Sequence, residues 1–222
     1  MSQLLFILSF PAAALSGAVA HDKHKVLCLH GYAQNGAILR DRSGGFRKPL
    51  KKSRFEMTYI DGPYGCTKDG EEVEAADANM LRRAWWRGSS AAETYDGWPE
   101  ARETLAEMWH RERFDGLLGF SQGAGAAAML AAELRPSFAI LVSGFVPRDR
   151  EAAASLLAGV EGVPTLHVYG DADALVEPER SRALVDLFSD AAVIVHEGGH
   201  MLPSSSVVRR SVVEFLGASL DT

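Results

Sequence analysis

The chain has 222 residues, 47% of them apolar, and a formal net charge of −6. That length and composition suit one domain with a substantial core and exclude a disordered class. The acidic balance excludes the basic footprint of a nucleic-acid binder, and two cysteines, Cys28 and Cys66, make neither a disulfide framework nor a metal site.

Residues 1–24 stand apart. LLFIL, followed by small residues ending Ala18-Val19-Ala20, resembles the apolar core and cleavage site of a secretory signal, yet no Lys or Arg precedes Lys23. Ser9, Pro11, Ser16 and Gly17 interrupt the run, so it does not read as a membrane span. A cleaved signal and an extension outside the fold are both open readings. In either, the domain is expected over residues 25–219, and His21 and His24 are incidental.

Lys25 to Leu29 (KVLCL) reads as a strand buried on both faces, with Cys28 a small core residue. It runs into His30-Gly31-Tyr32, where the chain must turn; His30 reads as a structural histidine. A helix is expected over 37–50, broken near Ser43-Gly44-Gly45 or ended by Pro49, with the basic run Arg47 to Arg54 as solvated surface. Phe55 to Ile60 alternates and is rich in strand formers. Asp61-Gly62-Pro63-Tyr64-Gly65 stops it. An irregular excursion follows, with acids from Glu71 to Glu74 and three of the four tryptophans, Trp85, Trp86 and Trp98. Such an excursion is where a lid or acyl pocket would sit, and a plug of local core is the other reading.

Pro99 to Arg113 has helical periodicity, with Leu105, Met108 and Trp109 on one face. Further strands are expected at 114–119, 137–142, 164–169 and 191–196, with helices at 149–158, 177–188 and 204–217 between and after them. Strands alternate with helices throughout. The expected class is therefore α/β, a mostly parallel sheet of about six strands with helices on both faces and chemistry at the strands' C-terminal ends.

The centre of the pattern is Phe114 to Gly125, FDGLLGFSQGAG. An apolar strand, the pattern Gly119-x-Ser121-x-Gly123 and an alanine-rich helix follow in order. This is the nucleophile-elbow arrangement of an α/β-hydrolase. Side chains at Gly119 or Gly123 would collide with neighbouring backbone, and the turn lifts the serine hydroxyl above the sheet edge. The amide of Gln122, first in the helix, and that of Tyr32, after the first strand, are the expected oxyanion donors.

An elbow serine needs a base, and the base an orienting acid. Asp171 and Asp173 follow the fifth strand and compete for the acid's role; Asp173 is preferred, because Asp171 directly abuts the strand and can cap the turn. His200 follows the sixth strand and is the expected base. Two rival motifs fail on context. His196-Glu197-Gly198-Gly199-His200 matches a zinc-protease pattern, but two glycines inside a helix would cost about 2 kcal/mol relative to alanine. The glycines from Gly119 to Gly125 match a dinucleotide turn, but lie past mid-chain with no acid about 20 residues on, and Tyr64 with Lys68 falls in a loop. No metal or organic cofactor is required.

HGYAQNG, DGPYG, FDGLLGFSQGA, SGF, HVYGDADALV and HEGGHMLP occur in the order found in the FSH-type family of serine hydrolases, which the chain resembles over about residues 25–219. The family comprises esterases of the ovarian-cancer-associated kind and relatives among fungal polyketide thioesterases. The resemblance implies a cytosolic esterase or thioesterase acting on a small-molecule acyl ester or thioester, with Ser121, Asp173 and His200 in the triad positions. Tyr64, Trp85, Trp86 and Phe145 are expected to line an apolar acyl pocket, and the acidic run at 71–74 to disfavour anionic substrates. A hydrolase-fold protein that binds without turnover is the competing class.

Overall fold

Continuous aliphatic runs bounded by Gly, Pro or charged residues become strands here, because a parallel strand is buried on both faces. The structure is a computed structural model and describes residues 23–52, 54–67, 82–87 and 93–220. Six strands, β1 (His24–Leu29), β2 (Phe55–Ile60), β5 (Gly116–Phe120), β6 (Phe138–Val142), β7 (Thr165–Gly170) and β8 (Ala191–His196), form one sheet in the order β2-β1-β5-β6-β7-β8. Every pair in it is parallel. A two-stranded antiparallel ribbon, β3 (Tyr64–Cys66) with β4 (Arg82–Ala84), stands apart from it.

Side-chain alternation divides the core. Leu27, Leu29, Leu117, Ala139 and Leu141 face α3 (Trp98–Glu112) and α4 (Gln122–Leu134). Val26, Cys28, Leu118, Phe120, Ile140 and Val142 face the opposite side, packed with Val212 and Phe215 of α7 (Ser206–Leu220). Helices α1 (Gly36–Arg42), α2 (Gly44–Lys52), α5 (Ala154–Leu157) and α6 (Pro178–Val185) complete the layers. The expected architecture is thus the observed one, a parallel six-stranded sheet covered on both faces. No described helix is long and apolar enough to cross a membrane.

Three local details depart from the sequence reading. The helix expected at 37–50 is two helices, and the second runs through Pro49 to Lys52. The break is at Ser43, whose amide closes α1 on the Leu39 carbonyl while its hydroxyl meets the Arg40 carbonyl and the Tyr59 hydroxyl. The excursion after β2 contains the β3–β4 ribbon rather than irregular chain alone. His24 is no bystander: it opens β1, and its ring lies 5.4 Å from that of Phe55. The possible signal in residues 1–20 and the acidic run at 71–74 lie outside the described residues.

Candidate active site

The C-terminal ends of β5, β6, β7 and β8 lie side by side, and the loops leaving them carry the candidate groups. Ser121 follows β5 with φ 54° and ψ −118°, a left-handed conformation that costs a non-glycine residue about 1–3 kcal/mol. Two glycines make room for it. A Cβ on Gly119 would strike the Gly123 backbone, and one on Gly123 would strike the Leu29 carbonyl. The Ser121 amide donates to the Val142 carbonyl at 2.9 Å, and the Ser121 carbonyl accepts from Ala124 and Gly125. The turn is therefore tied to the neighbouring strand on one side and to the helix on the other. The Gln122 amide is the first of the 13-residue α4, where N–H groups lack intrahelical partners and the helix dipole favours negative charge.

The loop after β1 lies against this turn. A Cβ built on Gly31 would sit 3.3 Å from the Ser121 Cβ, so the loop that carries Tyr32 runs close to the serine turn. His30 is fully buried. Its Nε2 accepts from the Gly62 amide at 2.8 Å, which puts the proton on Nδ1, donated to the Gly31 carbonyl at 2.8 Å. Burial pushes its pKa down to about 4, against smaller upward pulls from the Gly31 carbonyl and Asp61. It is a neutral brace between β1 and the end of β2.

His200 and Asp173 meet between the β7 and β8 loops. His200 Nδ1 lies 2.8 Å from Asp173 Oδ2. Oδ1 of Asp173 accepts from the Leu175 amide at 3.0 Å and the Val176 amide at 2.9 Å, so the carboxylate holds three hydrogen bonds. Burial alone would raise the Asp173 pKa; the bonds from Val176, His200 and Leu175 and the His200 charge outweigh it, and the pKa is lowered. The imidazole rests on Phe120, centroid to centroid 4.9 Å, and Phe120 immediately precedes Ser121. Asp171 is exposed and its amide extends the β7–β8 ladder to the His196 carbonyl at 2.9 Å. His196 closes β8 and His200 lies in the following loop, so the two do not share a helical face as the zinc pattern demands.

The aromatic pocket is corrected. Trp85, Trp86 and Phe145 are at most 1% exposed. Trp86 stacks on Tyr95 at 4.2 Å and meets Trp98 edge-on, while Phe145 and Trp86 both pack on α4 near Gly125. These side chains fill the core instead of walling an open cleft, because large rings bury most area against other rings and the small-residue face of α4. Tyr64 is half-buried; its hydroxyl donates to the Gly97 carbonyl at 2.8 Å, and Arg87 covers its ring at 4.2 Å.

One further role is absent from the sequence reading. The Gln122 side chain accepts from the Trp85 amide at 2.9 Å and donates to the Trp86 carbonyl at 3.2 Å. The Trp85 indole in turn donates to the His30 carbonyl at 2.8 Å. The elbow helix thus holds the Trp85-Trp86 segment against the β1 loop. No local motif announces this contact, which joins residues 36 and 37 positions apart.

Several known proteins are similar to this chain. Residues 20–212 match the family described as Serine hydrolase (FSH1). The zebrafish (Danio rerio) esterase OVCA2 is 33% identical, aligned over 86% of this chain and 96% of its own. The human esterase OVCA2 is 32% identical, over 86% and 95%. Among solved structures, acyl-protein thioesterase 2 from Zea mays superposes with TM-score 0.65 at 19% identity, covering 90% of this chain and 95% of its own. A Bacillus cereus carboxylesterase gives 0.59 at 21% identity, over 88% and 89%. These last two likenesses share the fold.

Proposed function

The chain belongs to the FSH1 family of serine hydrolases, and from that premise we propose that Ser121, His200 and Asp173 are its catalytic triad. The protein is a serine hydrolase of the esterase and thioesterase class. Its substrate is a small-molecule acyl ester or thioester. The observation that supports the triad best is the 2.8 Å bond from His200 to a buried Asp173, on the same sheet edge as the strained Ser121.

Asp173 accepts a hydrogen bond from the Nδ1–H of His200, which leaves Nε2 as the basic nitrogen. Nε2 takes the Ser121 proton as Oγ attacks the acyl carbon. The carbonyl oxygen becomes an oxyanion, held by the amides of Gln122 and Tyr32. The tetrahedral intermediate collapses, and the imidazolium gives its proton to the departing alcohol or thiol. Water, deprotonated by the same imidazole, then attacks the acyl-serine; the acid is released and Ser121 regains its proton. Aspartate stays ionised throughout, in keeping with its lowered pKa.

Ser121→Ala tests the reading. Hydrolysis of p-nitrophenyl acetate should fall by about three orders of magnitude or more, and fluorophosphonate labelling should vanish with the fold intact. Retained hydrolysis would overturn the assignment. A folded wild-type protein that takes no label would favour the competing binding function.

A further inference from the structure

The candidate base ends a short turn, Glu197-Gly198-Gly199-His200, that leaves β8 at His196. The turn lies on the end of β7. His196 is the register partner of Gly170, and the Asp171 amide donates to the His196 carbonyl at 2.9 Å. A Cβ on Gly170 would strike the Gly198 carbonyl, and one on Gly199 would come within 3.3 Å of the Ala172 carbonyl. The surface beneath the turn is thus the segment that leads into Asp173. A shift of the turn would change how His200 meets that carboxylate.

One hydrogen bond clasps the turn from inside. The Gly198 amide donates to Nδ1 of His196 at 3.1 Å. Among the described residues it is the only hydrogen bond made by a backbone amide from 197 to 200. Met201 closes over the same place: a Cβ on Gly198 would lie 3.0 Å from His196 Nδ1 and 3.2 Å from the Met201 sulfur. A ring nitrogen that accepts carries no proton, so the neutral imidazole holds its hydrogen on Nε2. Nε2 is buried and has no hydrogen-bond partner among the described residues. A buried N–H left unpaired costs free energy, so an apolar side chain would serve the packing at least as well. What the ring supplies is the acceptor at Nδ1.

The charges that act on His196 come from the β7 loop, where Asp171 and Asp173 favour its protonated form. Its own loop carries Glu197, which is exposed, and His200. Burial opposes the two aspartates and outweighs them, so the ring's pKa lies below the ordinary histidine value. At neutral pH the ring is uncharged and Nδ1 is free to accept. Protonation would put an N–H at Nδ1, facing the N–H of Gly198, and the bond would be lost.

We propose that His196 is a positioning residue for the candidate base: its Nδ1 holds the turn that sets His200 against Asp173, and a proton on that nitrogen releases the turn. The proposal rests on His200 being the base for Ser121. Two protonations then stop the enzyme in acid. One occupies Nε2 of His200, and the other loosens the turn that presents it.

The test uses the full chain, p-nitrophenyl acetate and two variants. Asparagine keeps an acceptor for the amide two residues on, as in an Asx-turn, but does not titrate; leucine keeps apolar bulk and offers no acceptor. At about pH 8, His196→Leu should lower kcat by about 10- to 100-fold with little change in KM, as expected of a base misplaced by about 1 Å. His196→Asn should recover most of the wild-type kcat. In acid, log kcat/KM of the wild type should fall with a slope approaching about two, and that of His196→Asn with a slope of about one, over the range where circular dichroism shows the fold intact. The slope in His196→Asn is informative whether or not His196→Leu folds. A His196→Leu enzyme with wild-type kcat, a His196→Asn enzyme no better than a folded His196→Leu, or an acid limb the same in His196→Asn as in the wild type overturns the proposal. A wild-type protein that neither hydrolyses the acetate nor takes the fluorophosphonate label would instead overturn the reading of Ser121 and His200.

Discussion

His30 and His200 both follow a strand at the same edge of the sheet, and both have glycine as neighbour, yet their surroundings are opposite. His30 has each ring nitrogen bound to backbone, Gly62 on one and Gly31 on the other, and no exposure. Its proton has nowhere to go, and burial keeps it neutral. His200 commits only Nδ1, to a carboxylate, and its side chain retains 15% exposure. A histidine moves protons when one nitrogen is oriented by an acid and the other is left for the reaction; when backbone takes both, it is a strut.

Breaking the His200 side of this contrast should have the largest effect. Asp173→Asn keeps the shape but favours the wrong imidazole tautomer, and kcat should drop by about three to four orders of magnitude. The circular dichroism spectrum should not change. A loss below tenfold would mean that Asp173 does not orient the base.

His30→Ala should do the reverse. It leaves the Gly62 amide buried without an acceptor and opens space beside Trp85, so the loss of stability should be about 3 kcal/mol, read from urea unfolding. The fluorophosphonate labelling rate per folded molecule should fall by less than about tenfold, unlike that of His200→Ala. Equal losses in the two variants would erase the distinction.

Acid sharpens the comparison further. His30 is held neutral down to about pH 4, whereas an unfolded histidine protonates near 6.5. The unfolded chain therefore binds more protons in that window, and stability falls as the pH falls from about 6.5 to 4, by up to about 3 kcal/mol for this group. His167, buried beside Phe188 with a pKa pushed down to about 3, adds to the same limb. Asp173 acts lower. Its depressed pKa stabilises the fold above the ordinary carboxylate range and is lost only below it. His30→Gln should flatten the upper limb and Asp173→Asn should leave it intact, as measured by urea midpoints at successive pH values.

The sequence by itself determined the six strands, the elbow and the order of the candidate residues. The strands were readable because a strand buried on both faces must be a continuous apolar run, as GLLGF and FAILV are. The elbow was readable because its sterics leave room only for glycine at positions 119 and 123. Tertiary structure alone decided the rest. The strands of the β3–β4 ribbon are three residues each, too short to show a period, and the segment after β4 is held by Gln122 from another part of the chain. The tryptophans looked equally suited to a pocket wall and to a core plug, since a large ring is apolar in both. Of Asp171 and Asp173, two residues apart, Asp173 is the one that meets a histidine 27 positions later, a contact that spacing alone does not announce. Such contacts depend on which side chains the sheet's register brings together, and one-dimensional spacing does not carry that register.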